Sequence, residues 1–247
     1  MTKTIWMPLP DTDFDTTEVA VPWKLLTEAG HRVVFTTERG DRTPECDPLL
    51  LRGVLFGQLG AEPEPIEFYR ELLDTTAYRQ PLAWTAFEPR DADALVLPGG
   101  HAPGMKQYLG SSELQSKVAS FFVTGRPVAA ICHGVLVLAR AQHDGHSVLR
   151  DFRTTCLPKY MERSAYLLTA WKLGRYYRTY DAYVEDEVRG ALANPTEQFV
   201  RGPRSLVRRG TRQDDRPAFV VEDRHYLSAR WPGDAYLFAK RLVERLG

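Results

Sequence analysis

The sequence predicts an α/β fold of the flavodoxin-like, doubly wound kind: a mostly parallel sheet with helices on both faces. Three observations predict it. Short apolar runs alternate with segments of helical period through the first half of the chain, which implies strands joined by helical crossovers. Two runs, Ala94 to Pro98 and Pro127 to Ile131, are continuously apolar, as strands buried on both faces should be. Each of these runs straight into a glycine-bearing turn, Gly99-Gly100 after the first and Cys132-His133-Gly134 after the second. Sheets of this kind place their ligands at that carboxyl edge.

The elements follow in order. Ile5-Trp6-Met7 reads as a strand, and Glu18 to Ala29 as a helix with Val19, Trp23 and Leu26 at helical spacing and Gly30 closing it. Arg32 to Thr37 is a second strand. The long stretch from about 40 to 92 reads as an insertion with structure of its own, because Pro63 and Pro65 introduce a helix over Ile66 to Leu73. Leu114 to Thr124 and Gly134 to Ala141 are helices on either side of the second buried strand. The Arg-, Gly- and Asp-rich stretch from Gly202 to Pro217 alternates in charge and reads as a solvated loop. Ala218 to Glu222 and His225 to Ala229 read as a hairpin turning at Asp223-Arg224, and Pro232 to Leu246 as a closing amphipathic helix with proline in its first turn. There is no internal repeat, and one domain spanning 1–247 is expected.

Composition narrows the function. The 32 basic and 32 acidic side chains leave a formal net charge of zero. That removes the basic footprint of a nucleic-acid binder and the charge that would hold a protein on anionic lipid. Neither nucleic acid nor membrane is an expected partner. No apolar stretch approaches the roughly 18 residues of a membrane span, and the first residues lack the apolar core and cleavage site of a signal peptide. Three cysteines, Cys46, Cys132 and Cys156, without CxxC spacing, speak for a reducing compartment. A cytoplasmic location is expected.

Chemistry concentrates at the two glycine turns. In Val128-Ala-Ala-Ile-Cys132-His133-Gly134 a small-residue strand ends at a cysteine and a helix begins at once. This is a nucleophile-elbow arrangement, in which the helix N-terminus favours thiolate over thiol. A buried structural cysteine is the alternative. In Leu97-Pro98-Gly99-Gly100-His101 the paired glycines let backbone N–H groups face a cavity above the sheet. A phosphate loop would need GxGxxG or a Lys-Ser/Thr ending, and neither is present. An oxyanion pocket made by the N–H groups of Gly100 and His133 fits better. Gly99, His101, Thr155 and Cys156 are the further candidates for a substrate pocket.

Gly99-Gly100-His101, the elbow from Ala130 to Gly134, the opening Thr17-Glu18-Val19-Ala-Val-Pro22, Thr154-Thr155 on the strand expected after the elbow helix, and the closing Tyr226-Leu-Ser-Ala-Arg-Trp-Pro-Gly-Asp234 together resemble the ThiJ/PfpI superfamily. That group is glutamine-amidotransferase-like in fold. The long insertion and the GGH loop tilt the resemblance towards its glyoxalase III and heat-inducible chaperone branch. Ser228-Ala229 replaces the Thr-Gly of the family's closing segment, which touches only the local hairpin. The resemblance implies that Cys132 is the nucleophile, that Glu18 is the carboxylate beside the thiol, and that His133 is a base or orienter. Read from the residues alone, Glu18 is a first-turn carboxylate favoured by the helix dipole. Beside a thiolate it should be protonated, or share its proton with the sulfur. The side chain of His133, directly after the nucleophile, should diverge from the sulfur.

The implied activity is a cofactor-independent conversion of a 2-oxoaldehyde to a 2-hydroxy acid, with no metal and no nucleotide. A cysteine hydrolase or hydratase, a biosynthetic enzyme whose insertion and Arg-rich loop form a tailored mouth, and a holdase chaperone or oxidation sensor are the alternatives. The expected partners are a small carbonyl or amide substrate and a second copy in a homodimer. His225 is the runner-up imidazole, better read as a hairpin residue, and His143 and His146 read as exposed turn residues. The aromatic and basic stretch Tyr166 to Tyr183 reads as packing, with a lid or an anion-binding surface as the alternative. Cys46 is given no role.

Overall fold

A computed structural model describes residues 1–55, 59–205 and 207–247. Residues 56–58 of the expected insertion and residue 206 of the Arg-rich loop therefore lie outside the described residues. Along the chain, β1 (Thr4–Pro8), α1 (Thr16–Glu28) and β2 (Arg32–Thr37) are followed by three short helices, α2 (Pro48–Arg52), α3 (Pro63–Leu73) and α4 (Thr76–Arg79), and by β3 (Leu82–Ala83). Next come β4 (Ala94–Leu97), α5 (Met105–Leu109), α6 (Ser112–Phe122), β5 (Val128–Ile131), α7 (Val135–Arg140) and the small pair β6 (Gln142–His143) and β7 (His146–Ser147). Helices α8 (Lys159–Leu173), α9 (Val184–Gly190) and α10 (Pro195–Gln198) precede β8 (Val220–Asp223), β9 (Tyr226–Ala229) and α11 (Ala235–Leu246).

Seven strands form one sheet in the order β3-β2-β1-β4-β5-β9-β8, parallel except for β8, which pairs antiparallel with β9. This is the flavodoxin-like, doubly wound architecture. All four residues of β4 and of β5 are buried, so the continuous apolar runs are explained by helices covering both faces. Apolar side chains of this kind contribute about 1.5–3 kcal/mol each when fully buried. The core therefore sits directly beneath the two glycine turns.

The structure departs from the sequence reading in four places. The stretch from 40 to 92 does more than decorate, because it supplies the edge strand β3 beside β2. Asp223 pairs with Tyr226, so the hairpin turns at Arg224-His225, one residue later than expected, and Arg224 takes the left-handed conformation (φ 54°). The closing helix proper starts at Ala235, after a single 3₁₀ turn over Pro232–Asp234. Thr154 makes one isolated parallel bridge to Phe199 instead of lying in a strand of the sheet. Among the described residues, no helix is long and apolar enough to cross a membrane.

Candidate active site

Strands β1, β4 and β5 end at the same edge of the sheet, and the segments leaving them are tied together by hydrogen bonds. Asp15 caps α1: its Oδ1 accepts from the N–H groups of Thr17 (2.8 Å) and Glu18 (3.1 Å). The N–H of Asp15 donates to the carbonyl of Gly99 (2.8 Å), and the N–H of Gly99 donates to Glu18 Oε2 (2.8 Å). The start of the first helix and the glycine loop are thus one unit. A Cβ on Gly99 would sit 2.7 Å from the backbone nitrogen of His133, so the loop needs glycine to lie against the elbow. Gly100 plays the same part towards Asp13, whose carbonyl a Cβ would approach to 2.7 Å.

Cys132 stands at the apex of the turn leaving β5, with φ 58°, and a 3₁₀ turn over Cys132–Gly134 leads into α7. The left-handed conformation costs a side-chain-bearing residue about 1–2 kcal/mol. Strain of that kind collects at functional sites. Gly134 permits it, because a Cβ there would fall 2.1 Å from the carbonyl oxygen of Leu97 at the end of β4.

The thiol of Cys132 is buried. Burial first, then the carboxyls of Glu18 and Asp15, push its pKa well above the ordinary thiol value, against the backbone N–H of His133, which faces the sulfur and lowers it. The expectation of a resting thiolate is therefore corrected: desolvation outweighs the N–H groups of the elbow. Glu18 is wholly buried as well, and burial followed by the neighbouring Asp15 raises its pKa well above the carboxylate range. Burial thus favours its protonated form. Since Oε2 accepts from Gly99, the proton belongs on Oε1, which is buried without a hydrogen-bond partner, and the carboxyl faces Cys132. Asp15 is raised to about 6, chiefly by burial.

The side chain of His133 does not diverge from the sulfur as expected: its Nδ1 lies 3.5 Å from Cys132 Sγ. The turn at φ 58° swings both side chains to one side. Burial, then His101, Arg140 and Arg178, hold His133 well below the ordinary imidazole pKa, so the ring is neutral. The charged side chains that act on it, Arg140 and Arg178, are cationic. His101 packs edge-on against His133 (4.5 Å between centroids) and Tyr177 (6.0 Å). Burial lowers its pKa to about 4, and its Nε2 is buried without a partner. One ligand atom each from His101, Cys132 and His133 lie within 4.8 Å of one another. Against the expectation of no metal, those donors would suit a thiophilic ion, for which sulfur and nitrogen ligands stand about 3.5 Å apart in a tetrahedral site.

The remaining candidates scatter. Thr155 and Cys156 are fully buried beside this edge, with the Thr155 N–H bonded to Ser228 Oγ (3.0 Å) and Cys156 Sγ directed at the Leu157 carbonyl (3.6 Å). Leu157, the next residue, reaches the cavity wall instead. His225 lies at the other end of the sheet: its carbonyl accepts from the N–H of Val128, the first residue of β5, and its ring packs on Phe122 and Phe152. It is a hairpin residue. His143 and His146 are exposed on the β6–β7 turn.

The sequence reading did not single out Asp15, Tyr177 or Thr179. Tyr177 donates to Asp47 Oδ2 (2.8 Å) while backing His101, and Thr179 Oγ1 donates to the His101 carbonyl (2.5 Å). Asp15 carried a signal, an aspartate just ahead of a helix of apolar period, and Tyr177 and Thr179 lie in the aromatic and basic stretch whose alternative reading was a lid.

A profile described as ThiJ/PfpI family-like matches residues 9–203. The chain belongs to that family. An uncharacterized protein of Schizosaccharomyces pombe is 28% identical over 241 residues, 95% of this chain and 80% of the relative. A deglycase of Thermococcus kodakarensis is 42% identical over 165 residues, 67% of this chain and 69% of the relative. The crystal structure of glyoxalase III from Candida albicans superposes with a TM-score of 0.66 at 16% identity, covering 98% of this chain and 96% of that one, a likeness of fold.

Proposed function

We propose that the protein is a cysteine-dependent enzyme that converts a 2-oxoaldehyde to the 2-hydroxy acid, without drawing on a cofactor. The observation that carries this reading is the triad gathered at one sheet edge: a cysteine in the left-handed conformation, an imidazole nitrogen 3.5 Å from its sulfur, and a wholly buried carboxyl facing it.

Those three groups close a proton cycle. As the Cys132 sulfur bonds to the aldehyde carbon, its proton passes to His133 Nδ1, and Glu18 Oε1 gives its proton to the carbonyl oxygen. The product is a hemithioacetal, with Glu18 now a carboxylate. Glu18 takes the hydrogen from that carbon, while His133 protonates the neighbouring ketone oxygen to give an enediol. Glu18 returns its proton to the second carbon as His133 accepts the hydroxyl proton of the first. A thioester results. Water hydrolyses it, and its protons together with that held on His133 restore the thiol, the Glu18 acid and the product acid. The N–H of His133 stands where it can support negative charge next to the sulfur.

The similarity to a deglycase favours a second reading that shares the first step, with the oxoaldehyde taken from an adduct instead of from solution. Burial opposes the sensor alternative, because an oxidation sensor works through an accessible, low-pKa thiol.

The test is incubation with an alkylglyoxal in the absence of thiol and metal, following 2-hydroxy acid, with Cys132→Ser and Glu18→Gln alongside. Catalytic turnover lost in Cys132→Ser and reduced by about 100-fold or more in Glu18→Gln is expected. Full turnover by Cys132→Ser would overturn the mechanism.

A further inference from the structure

Above the triad lies a cavity of about 300 Å³ that the proton cycle does not use. Its polar end is formed by His101, Thr17 and Asp15. Thr17 adjoins Glu18, and a ring nitrogen of His101 lies within 4.8 Å of Cys132 Sγ, so this end is the outer rim of the reaction centre. The rest is mostly hydrocarbon, with Ser164, Thr169, Tyr177 and Arg209 interspersed. One face of α8 contributes Met161, Ala165 and Leu168, spaced four and three residues apart, and Leu157 precedes that helix. Leu50 and Val54 come from the stretch between β2 and β4, and Trp231 closes the far side.

The charged groups on the wall already have partners. Asp15 is occupied in capping α1, and Arg209 lies over the Trp231 ring, 3.6 Å from Glu62 and bonded to the Gly60 carbonyl (3.3 Å). The cavity is therefore poorly suited to a phosphate, a carboxylate or a sugar. A methyl group, at about the 30 Å³ of one water molecule, would leave most of it empty. A ring or branched chain of six to eight carbons fits it.

We propose that the substrate carries such an apolar group: that the cavity seats the hydrocarbon substituent of a 2-oxoaldehyde, aromatic, alicyclic or branched, while its dicarbonyl head passes His101 to reach Cys132. This rests on the 2-oxoaldehyde reading of the triad and adds the substrate class to it. Each buried methylene is worth about fourfold in binding. Five carbons beyond methyl then give about 100-fold or more in kcat/KM after allowance for imperfect filling.

The experiment compares methylglyoxal with cyclohexylglyoxal, two alkylglyoxals of similar intrinsic reactivity, on the wild type and on Ala165→Trp. Ala165 is half-buried on the cavity wall and takes no part in the proton cycle. Wild type should prefer the cyclohexyl compound by about 100-fold in kcat/KM, and Ala165→Trp should cut that preference at least tenfold. Ser164→Phe, on the same wall, serves if Ala165→Trp melts early. Equal use of both substrates by the wild type, or equal loss of both in the variant, would overturn the proposal. If neither compound is turned over, the 2-oxoaldehyde reading fails, and calorimetric binding of 1-cyclohexylpropane-1,2-dione, which lacks the aldehyde, decides the cavity separately. Binding to wild type that is lost in the filled variant supports an apolar ligand seat. Absence of binding removes it.

Discussion

Replacing Asp15 with asparagine should stabilise the protein at neutral pH and do much less at acid pH. Asp15 is 6% exposed, and its pKa rises from 3.8 to about 6, mainly because burial penalises the charged form. A group whose pKa is higher folded than unfolded favours folding fully below the unfolded value, and that contribution is lost as pH rises through the folded value. At about 1.4 kcal/mol per pH unit, the ionised Asp15 burdens the fold by about 3 kcal/mol above pH 7 and by about 1 kcal/mol at pH 4.5. Asparagine cannot ionise, and its side-chain oxygen still caps α1, accepting from Thr17 and Glu18 as Asp15 Oδ1 does now. Losing the charge-assisted character of those bonds costs about 1 kcal/mol. The variant should therefore gain about 2 kcal/mol at pH 7.5 and roughly nothing at pH 4.5. Urea unfolding at the two pH values, with unchanged m, measures this directly. A variant less stable than wild type at pH 7.5 would mean that the cap outweighs desolvation, and a gain equal at both pH values would mean that ionisation of Asp15 is not its source; either refutes the reasoning.

Two further substitutions probe how the edge is built. Gly134→Ala should lose about 3 kcal/mol or more in thermal or chemical unfolding, because its Cβ would meet the Leu97 and Pro98 carbonyls at 2.1 and 2.7 Å; a wild-type midpoint would show that β4 and the elbow are not locked together. Arg230→Met should cost about 3–5 kcal/mol, since it leaves Asp234 buried and unpaired where both side chains are now fully enclosed; Arg230→Met/Asp234→Leu should recover most of the loss, and a double variant as unstable as the single one would place the effect elsewhere.

The central strands were legible because burial on both faces leaves an unmistakable mark, four apolar residues in a row in β4 and again in β5. Strand β3 left none. It has two residues, Leu82 is 46% exposed, and its place in the sheet comes from pairing with Thr36 and Thr37 alone. Helix α8 misled for the opposite reason. Leu167 and Trp171 are 62% and 69% exposed, and Leu168 is 56% exposed even at the cavity wall, whereas Met161 and Thr169 are buried there, so the most apolar residues do not mark the buried face. The stretch from Tyr166 to Tyr183 does pack, through Leu173, Tyr176, Tyr177 and Tyr180, and through Leu168, Thr169 and Tyr177 it also lines the cavity. The Arg230–Asp234 pair escaped notice because charged residues are seldom fully buried, and nothing in their spacing distinguishes a surface pair from this one.

The proposed site itself was only half legible, and the reason lies in its electrostatics. The elbow and the glycine loop are local patterns, read from a few adjacent residues. The protonation state of Cys132 depends on groups 114 and 117 positions away, Glu18 and Asp15, and on the absence of water that the whole edge enforces. A helix N-terminus read in isolation predicts a thiolate; in the folded chain two buried carboxyls and desolvation reverse it. On the proposed mechanism this reversal is useful, because a neutral thiol and a neutral acid carry both protons that the first step must move. The two raised groups are coupled through Asp15, the largest charge raising Glu18. Asp15→Asn should then lower the pKa of Glu18 and shift the alkaline limb of the kcat/KM–pH profile, where the acid loses its proton, to lower pH, so that one substitution raises stability and moves the pH dependence together. A stability gain with an unmoved profile would mean that Glu18 does not set that limb, and the carboxyl assigned to the proton cycle would have to be sought elsewhere.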